Sequence, residues 1–317
     1  MREQIPIFLA ADDGYAPCLA TAVVSLMDKA SSEYEYKIIV MQEDLSEENR
    51  KKIRSLEKEG FDISFVSMKE QLGKMAEKSS NKLRCDYFTL TIYYRIFIAD
   101  MFPQYDKGIY IDSDVVVPGD ISKLYEVQLQ DNLIGGCVDT SIQEVAPITT
   151  YIDESLGVDH THYINSGVLL MNLKKLREVG FADHFLYLLN TYQFDSIAPD
   201  QDYINTMCYK KIRFLDGTWD LFPDCTKPEA ENPMLIHYNL FEKPWHYEGI
   251  VYENLFWKYA KDSGYYDELL QTRNNYSQQE KEEDSRNMQR LSDRALEITE
   301  CGIRFRDVFD SGKEERI

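Results

Sequence analysis

Short apolar runs alternate with helical patterns along the first two thirds of this 317-residue chain, and that alternation leaves few folds open. The runs 5–11, 37–41, 62–66, 108–111, 133–138 and 164–171 read as strands. Between them, 15–30, 46–60, 92–101 and 181–192 carry helix spacing, with Ser46 as an N-cap and Gly60 as a C-terminal stop. Strands linked through helices need crossover connections, so an α/β fold with a largely parallel sheet covered on both faces is expected.

Open sheets of this kind bind ligands outside the carboxyl ends of their strands. What each apolar run ends in is therefore informative. The first ends in Asp12, the fourth in Asp112-Ser113-Asp114, the 133–138 run in Asp139, and the short run 234–236 in His237. Residues two apart on a strand point to the same side, so Asp112 and Asp114 can face one point. Two hard oxygen ligands then meet where a divalent cation carrying phosphate oxygens would sit. The spacing alone is weak, because 55 Asp and Glu make chance triplets common, and Asp200-Gln201-Asp202 is another at a helix start. A solvated turn explains one such triplet; acids or an imidazole at four strand ends favour a site.

The chain is 44% hydrophobic and 28% charged, enough for a sizeable core in one large domain with an appendage or in two unequal domains. No uninterrupted apolar run approaches the ~20 residues of a membrane span. The 5–11 segment contains Pro6 and ends in Asp12-Asp13, so it reads as a first strand and not as a signal peptide. Cys18, Cys85, Cys137, Cys208, Cys225 and Cys301 form no Cys-x-x-Cys pair and read as reduced core thiols of a cytoplasmic protein. A net charge of −20 disfavours nucleic acid and makes a bound cation more necessary for an anionic substrate.

From about residue 252 the composition changes. An aromatic-rich helix to 266 precedes a polar run, 274–284, and a helical pattern with Met288, Leu291, Ala295 and Ile298 on one face. A main domain over 1–250 and a helical extension over 251–317 are expected, the extension docking on that domain or serving homo-oligomer formation or another interaction. Its mixed-sign composition argues against a basic membrane-surface helix, and leaves peripheral association at the inner membrane face open.

Five motifs occur in order: Ala10-Ala-Asp-Asp-Gly-Tyr15, Tyr110-Ile-Asp-Ser-Asp114, Asn165-Ser-Gly-Val-Leu-Leu-Met-Asn172, Asp200-Gln-Asp202, and His237-Tyr followed after four residues by Lys243-Pro-Trp-His246. Over roughly 5–246 the chain resembles the family 8 retaining glycosyltransferases, which include bacterial lipooligosaccharide galactosyltransferases and glycogenin. The resemblance implies a GT-A type nucleotide-sugar-binding fold with a mostly parallel central sheet flanked by helices. It implies transfer of galactose or glucose from a UDP-sugar to a hydroxyl of a carbohydrate, lipid-linked glycan or protein acceptor, with retained configuration.

By the same resemblance, Asp112, Asp114 and His237 would bind one Mn²⁺, with Mg²⁺ as a substitute, and Lys243 would add charge on the diphosphate. Asp12 and Tyr15 would hold the uridine, with Ala10, Ser113 and Ser166 completing the donor-binding set. Arg95, Asn165, Asp139, Asp200 and Gln201 would contact the donor sugar or line its reacting face, Gln201 with its amide oxygen near the anomeric carbon. Gly14 departs from an Asn common in relatives.

Each position also has a plainer reading: His237 as a strand-end histidine, Lys243 as a stem packed on Trp245, Tyr15 as a core aromatic, Arg95 as a structural ion-pair residue, Asp200 as an N-cap. Gln201 is a poor nucleophile, which favours front-face attack over a covalent intermediate. Two other functions compete: a haloacid-dehalogenase-type phosphatase with Asp112 as nucleophile, and a non-catalytic UDP-sugar-binding protein. The phosphatase motif ordinarily closes a first strand, and here about a hundred residues precede it. Nucleotidyltransferases share the metal logic but need a Gly-rich basic loop where this chain has Asp12-Asp-Gly-Tyr15.

Overall fold

The computed structural model describes residues 2–71, 73 and 90–317. Its main sheet contains β1 (Glu3–Ala10), β2 (Tyr34–Gln42), β3 (Phe61–Ser67), β4 (Gly108–Ile111), β6 (Ile134–Val138), β7 (Ile164–Met171) and β8 (Ile212–Phe214), in the order β3-β2-β1-β4-β7-β6-β8. A separate ribbon pairs β5 (Val115–Val116) with β9 (Ile236–His237). The expected α/β architecture is what forms. Neighbouring strands of the main sheet run parallel except β7, which is antiparallel to both β4 and β6.

That reversal matters for the site. Because β7 runs backwards, its first residues, Asn165 and Ser166, reach the edge where β1, β4 and β6 end. Alternation along the strands feeds two cores: Phe8, Tyr110 and Leu169 face one, whereas Ile7, Ile109 and Leu170 face the other. Every residue of β4 and β7 is buried, so both faces must be covered, and burying each large aliphatic there is worth roughly 2–3 kcal/mol.

Several expected elements differ in extent. Helix 46–60 is only Glu47–Arg54; Ser46 does cap it, accepting from the Asn49 N–H at 3.3 Å, but Ile53 alone of its residues is buried. With so little apolar surface to continue it, the chain turns, and Gly60 at φ +84° serves the entry to β3. The apolar run 234–236 gives no strand of the main sheet; only Ile236 and His237 pair, in the ribbon with β5. The aromatic helix 252–266 is two helices, Glu253–Ala260 and Tyr266–Asn275, separated by a turn at Gly264, φ +79°.

Much of the polar run 274–284 is helical, since Ser277 and Glu280 form a capping box that starts the Gln278–Glu300 helix. Ala295, Ile298 and Phe305 from this end of the chain enter one core; Phe256, Tyr265 and Leu269 enter the other. Cys18, Cys137 and Cys208 are buried free thiols as expected, but Cys225 and Cys301 are exposed, and Cys85 lies outside the described residues. No described helix is long and apolar enough to cross a membrane.

The Asp200-Gln-Asp202 triplet opens the Pro199–Met207 helix, and its second acid is structural. Asp202 is fully buried and accepts from the hydroxyls of Tyr151 (2.7 Å), Tyr163 (2.6 Å) and Ser196 and from the Ala198 N–H (3.2 Å). Asp202→Ala would strand two buried tyrosine hydroxyls, an expected loss of about 3 kcal/mol of unfolding free energy in urea. A loss under about 1 kcal/mol would mean that the tyrosines find other partners.

Candidate active site

Beyond β4 the chain places Asp112 and Asp114 at the sheet edge, and the β5–β9 ribbon brings His237 over them. Its Nε2 lies 3.3 Å from Asp114 Oδ1 and 3.9 Å from Asp112 Oδ2. Suitable ligand atoms of all three residues fall within 4.8 Å of one another. Lys243 Nζ is 2.6 Å from Asp114 Oδ2 and also donates to the Tyr238 carbonyl. Burial raises the Asp114 carboxyl, but Lys243 and His237 outweigh it and hold the group well below the usual carboxylate range. Burial disfavours a charged His237; Asp114 and Asp220 overcome it and push the imidazole up to about 10.

Two residues that sequence reasoning missed shape this cluster. Asp220, buried at the end of a short 3₁₀ turn, lies 3.0 Å from His237 Nδ1 and so directs Nε2 toward the aspartates. Nothing in the sequence flags it, since it precedes His237 by 17 positions in an irregular segment. Gly167 lies inside a quoted motif, where its role is steric. A Cβ there would stand 2.3 Å from His237 Cε1 and 2.7 Å from Asp112 Oδ2. Only glycine leaves this cradle open, and hard carboxylates with one imidazole around an open cradle suit a divalent cation such as Mn²⁺.

A continuous polar network runs from this cluster to the start of β7. Arg95, 4% exposed, donates from Nη2 to Asp112 Oδ1 (3.0 Å) and from Nη1 to the carbonyl and hydroxyl of Ser166 (2.5 and 3.0 Å). Its Nε pairs with Asp200 Oδ2 at 3.1 Å, and Ser166 Oγ donates to that same oxygen at 2.9 Å. Asp200 is thus an ion-pair partner; it makes no N-cap bond, and Ala198 holds the cap position. Burial raises its carboxyl, and Arg95 only partly offsets this.

Gln201 Oε1 accepts the Ser166 N–H (2.9 Å), while its Nε2 donates to Asp139 Oδ2 (3.0 Å). The Ser166 N–H can only donate, which fixes which end of the amide faces it. Asp139 also accepts from Asn165 Nδ2 (3.0 Å) and from the N–H and hydroxyl of Ser141 (3.1 and 2.5 Å).

Contacts therefore order the site in a line: Tyr15, Lys243, Asp114, His237, Asp112, Arg95, Asp200, Gln201, Asp139. Tyr15, 39% exposed, has its ring 5.9 Å from Lys243 Nζ, so it is no core aromatic. Its N–H donates to Asp12 Oδ1 (3.0 Å), and Ser113 Oγ donates to the Ala10 carbonyl (2.7 Å). A cavity of about 630 Å³ is lined by every residue expected at the site: Ala10, Asp12, Tyr15, Ser113 and Lys243 on one side and the aspartates, Arg95, Asn165, Ser166, Gln201 and His237 deeper in. The Gln278–Glu300 helix, whose residues no sequence motif implicated, contributes Asn287, Arg290, Leu291 and Arg294 to the same cavity.

The family model for glycosyl transferase family 8 matches residues 6–249. The chain belongs to this family. This glycosyltransferase is 26% identical over 230 residues to the lipopolysaccharide 1,2-glucosyltransferase of Escherichia coli K12, covering 60% of this chain and 66% of that one. Among solved structures it superposes on galactosyltransferase LgtC in complex with donor and acceptor sugar analogues, at TM-score 0.67 and 24% identity, over 81% of this chain and 96% of that one. It superposes on the bifunctional glycosyltransferase WbbM at TM-score 0.73 and 21% identity, over 86% of this chain and only 52% of that longer one. The phosphatase reading of Asp112 falls with the family assignment, whose model accounts for the Asp12 and His237 segments together.

Two substitutions test the cluster by Mn²⁺ titration calorimetry, independently of turnover. Asp220→Ala in this glycosyltransferase is expected to weaken Mn²⁺ binding about 10- to 100-fold, with Asp220→Asn, which keeps an acceptor oxygen, losing less. Gly167→Ala should abolish measurable binding. Wild-type affinity in Asp220→Ala would show that His237 does not need its orienting carboxylate, and in Gly167→Ala that the cluster does not need the open cradle.

Proposed function

We propose that this glycosyltransferase moves galactose or glucose from a UDP-sugar to an acceptor hydroxyl with retained configuration, assisted by Mn²⁺ or, less well, Mg²⁺. The observation that carries the reading is the linear order of the site, from an exposed tyrosine, through a lysine and a cation-ligand cluster, to a dense amide and carboxylate network. That order matches base, diphosphate and hexose of a nucleotide sugar. The relatives' names point the same way, one being a glucosyltransferase and one a galactosyltransferase.

Asp112, Asp114 and His237 would hold the cation, which when bound supplies positive charge to offset that on the departing diphosphate. Lys243 would add a further positive charge beside it. Asp12 and Tyr15 would bind the uridine, with Ala10 and Ser113 fixing the edge beneath it. Arg95, Asn165, Ser166, Asp139, Asp200 and Gln201 would orient the hexose. We infer front-face attack, in which the departing UDP oxygen takes the acceptor proton. Asp139 already accepts four hydrogen bonds, Asp200 is paired with Arg95, and the Gln201 amide is held at both ends. None is poised as a nucleophile. On this reading residues 1–250 carry donor chemistry, 251–317 contribute to the acceptor side, and the reaction takes place in the cytoplasm.

The decisive assay is UDP release from UDP-galactose and UDP-glucose, with and without an acceptor panel, in Mn²⁺ and in chelator. Release should need the metal, and Asp112→Asn or Asp114→Asn should lower it by about 100-fold or more. Unchanged release in chelator would refute metal assistance; UDP-sugar binding without release or transfer would leave a binding-only protein. Gln201→Ala should lower kcat while sparing UDP affinity, whereas a large loss of UDP binding would move Gln201 to the nucleotide.

A further inference from the structure

The cavity continues past Asp139, and the wall there belongs to the Gln278–Glu300 helix. One end of the helix is tied near the lysine: Asp284 accepts from the Tyr247 and Tyr276 hydroxyls (2.7 and 2.8 Å), and the Tyr247 N–H bonds to the Lys243 carbonyl. Ten residues on, about 15 Å along a helix, Arg294 Nη2 pairs with Asp195 Oδ1 at 2.8 Å, just before the helix that carries Asp200 and Gln201. The helix therefore crosses the cavity from its diphosphate side to its sugar side. Asn287, Arg290, Leu291 and Arg294 share one helical face and line it.

Charge divides the cavity. Among the described residues its carboxylates, Asp12, Asp112, Asp114, Asp139 and Asp200, all belong to the donor network, whereas the charged lining residues of the helical wall are Arg290 and Arg294. Glu283 pairs with Arg290 (2.6 Å), and Asp195 and Glu297 pair with Arg294 (2.8 and 2.6 Å), yet none of these three carboxylates lines the cavity. They brace the guanidiniums from outside. The ion pairs of Arg294 with Asp195 and Glu297 use Nη2 and Nη1, and a guanidinium carries five N–H donors in a fixed fork. Ile148, Ile152 and Leu291 give the same wall an aliphatic floor. In a chain of net charge −20, these two arginines give the wall partners for an anion apart from Arg95 and Lys243, which are tied to Asp112 and Asp114.

We propose that this wall is the acceptor subsite and that it takes a sugar bearing a carboxylate or phosphate, its ring on the aliphatic floor and its anion toward Arg294 and Arg290. The assignment deepens the transfer reading and rests on it. The full chain, loaded with diamagnetic Mg²⁺ and UDP, would be titrated with methyl glucuronide against methyl glucoside, and with glucose 6-phosphate against glucose, by saturation-transfer NMR. An anionic probe should bind about 10-fold tighter than its neutral partner at low salt, and the pair that discriminates tells carboxylate from phosphate. Arg294→Gln should erase that preference. If losing the Asp195 pair unseats the helix, seen as a lowered thermal midpoint, Asn287→Asp serves instead; it is isosteric, sets a negative charge where Oδ1 already accepts from Arg290 Nη1 (2.9 Å), and should also reduce the preference. Equal binding of charged and neutral probes, no binding of any probe, or a preference unmoved by both variants would overturn the assignment. Mn²⁺-dependent UDP release from UDP-hexose is read on the same preparation. If release is present without anion preference, only the acceptor class falls; if release is absent, the transfer reading falls with it.

Discussion

A single buried guanidinium joins the two halves of this site. Arg95 reaches Asp112 of the cation cluster, Asp200 of the sugar-side helix and both oxygens of Ser166, and lies 4.4 Å over the Tyr110 ring. Burying such a charge costs several kcal/mol unless every donor is met, and here three separate elements meet them. The fork fixes the angle between the β4 end, the β7 start and the Pro199–Met207 helix as a hinge pin would. A lysine has three donors on one nitrogen and could not span the acceptors that Nε, Nη1 and Nη2 reach from separate atoms, so the geometry of the site requires arginine.

The Arg95 fork is possible only because β7 runs against its neighbours. In a wholly parallel sheet Ser166 would lie at the far edge, and the Asn165-Ser166-Gly167 backbone could not pass beneath His237. Reversal also lets the Gly167 carbonyl accept from the Asp112 N–H at 2.7 Å, fixing the carboxylate from its own backbone. The sheet is thus mostly parallel where it must present strand ends, and antiparallel where it must present a strand start.

Strand-end acids were legible in the sequence because a short apolar run marks where a strand stops, and the two-residue repeat of a strand sets which side its last residues face. That logic located Asp12, Asp112, Asp114 and Asp139 correctly, and His237 for a partly different reason, since it arrives on a two-residue ribbon. Strand direction leaves no mark in a fully buried run, so the reversal of β7 was not readable. Asp220 and Gly167 were invisible for another reason: orienting a ring and avoiding a clash depend on distances between segments far apart in sequence. The capping box at Ser277 and Glu280 was readable in principle, but the strongly polar run around it obscured the helix start.

Gln201, Asp139, Asn165 and Ser166 are bonded to one another, so their orientations are set by the protein, and on the proposed reading a hexose need not order them. Such preorganisation suits a reaction in which charge develops on the donor and no side chain must move to attack it. On the proposed reading it also separates the two substrates physically. Donor recognition would be built from strand ends locked into the sheet, whereas the proposed acceptor wall is one face of a helix held by surface ion pairs. Substitutions on that face would then change what is glycosylated while leaving the strand-end residues in place.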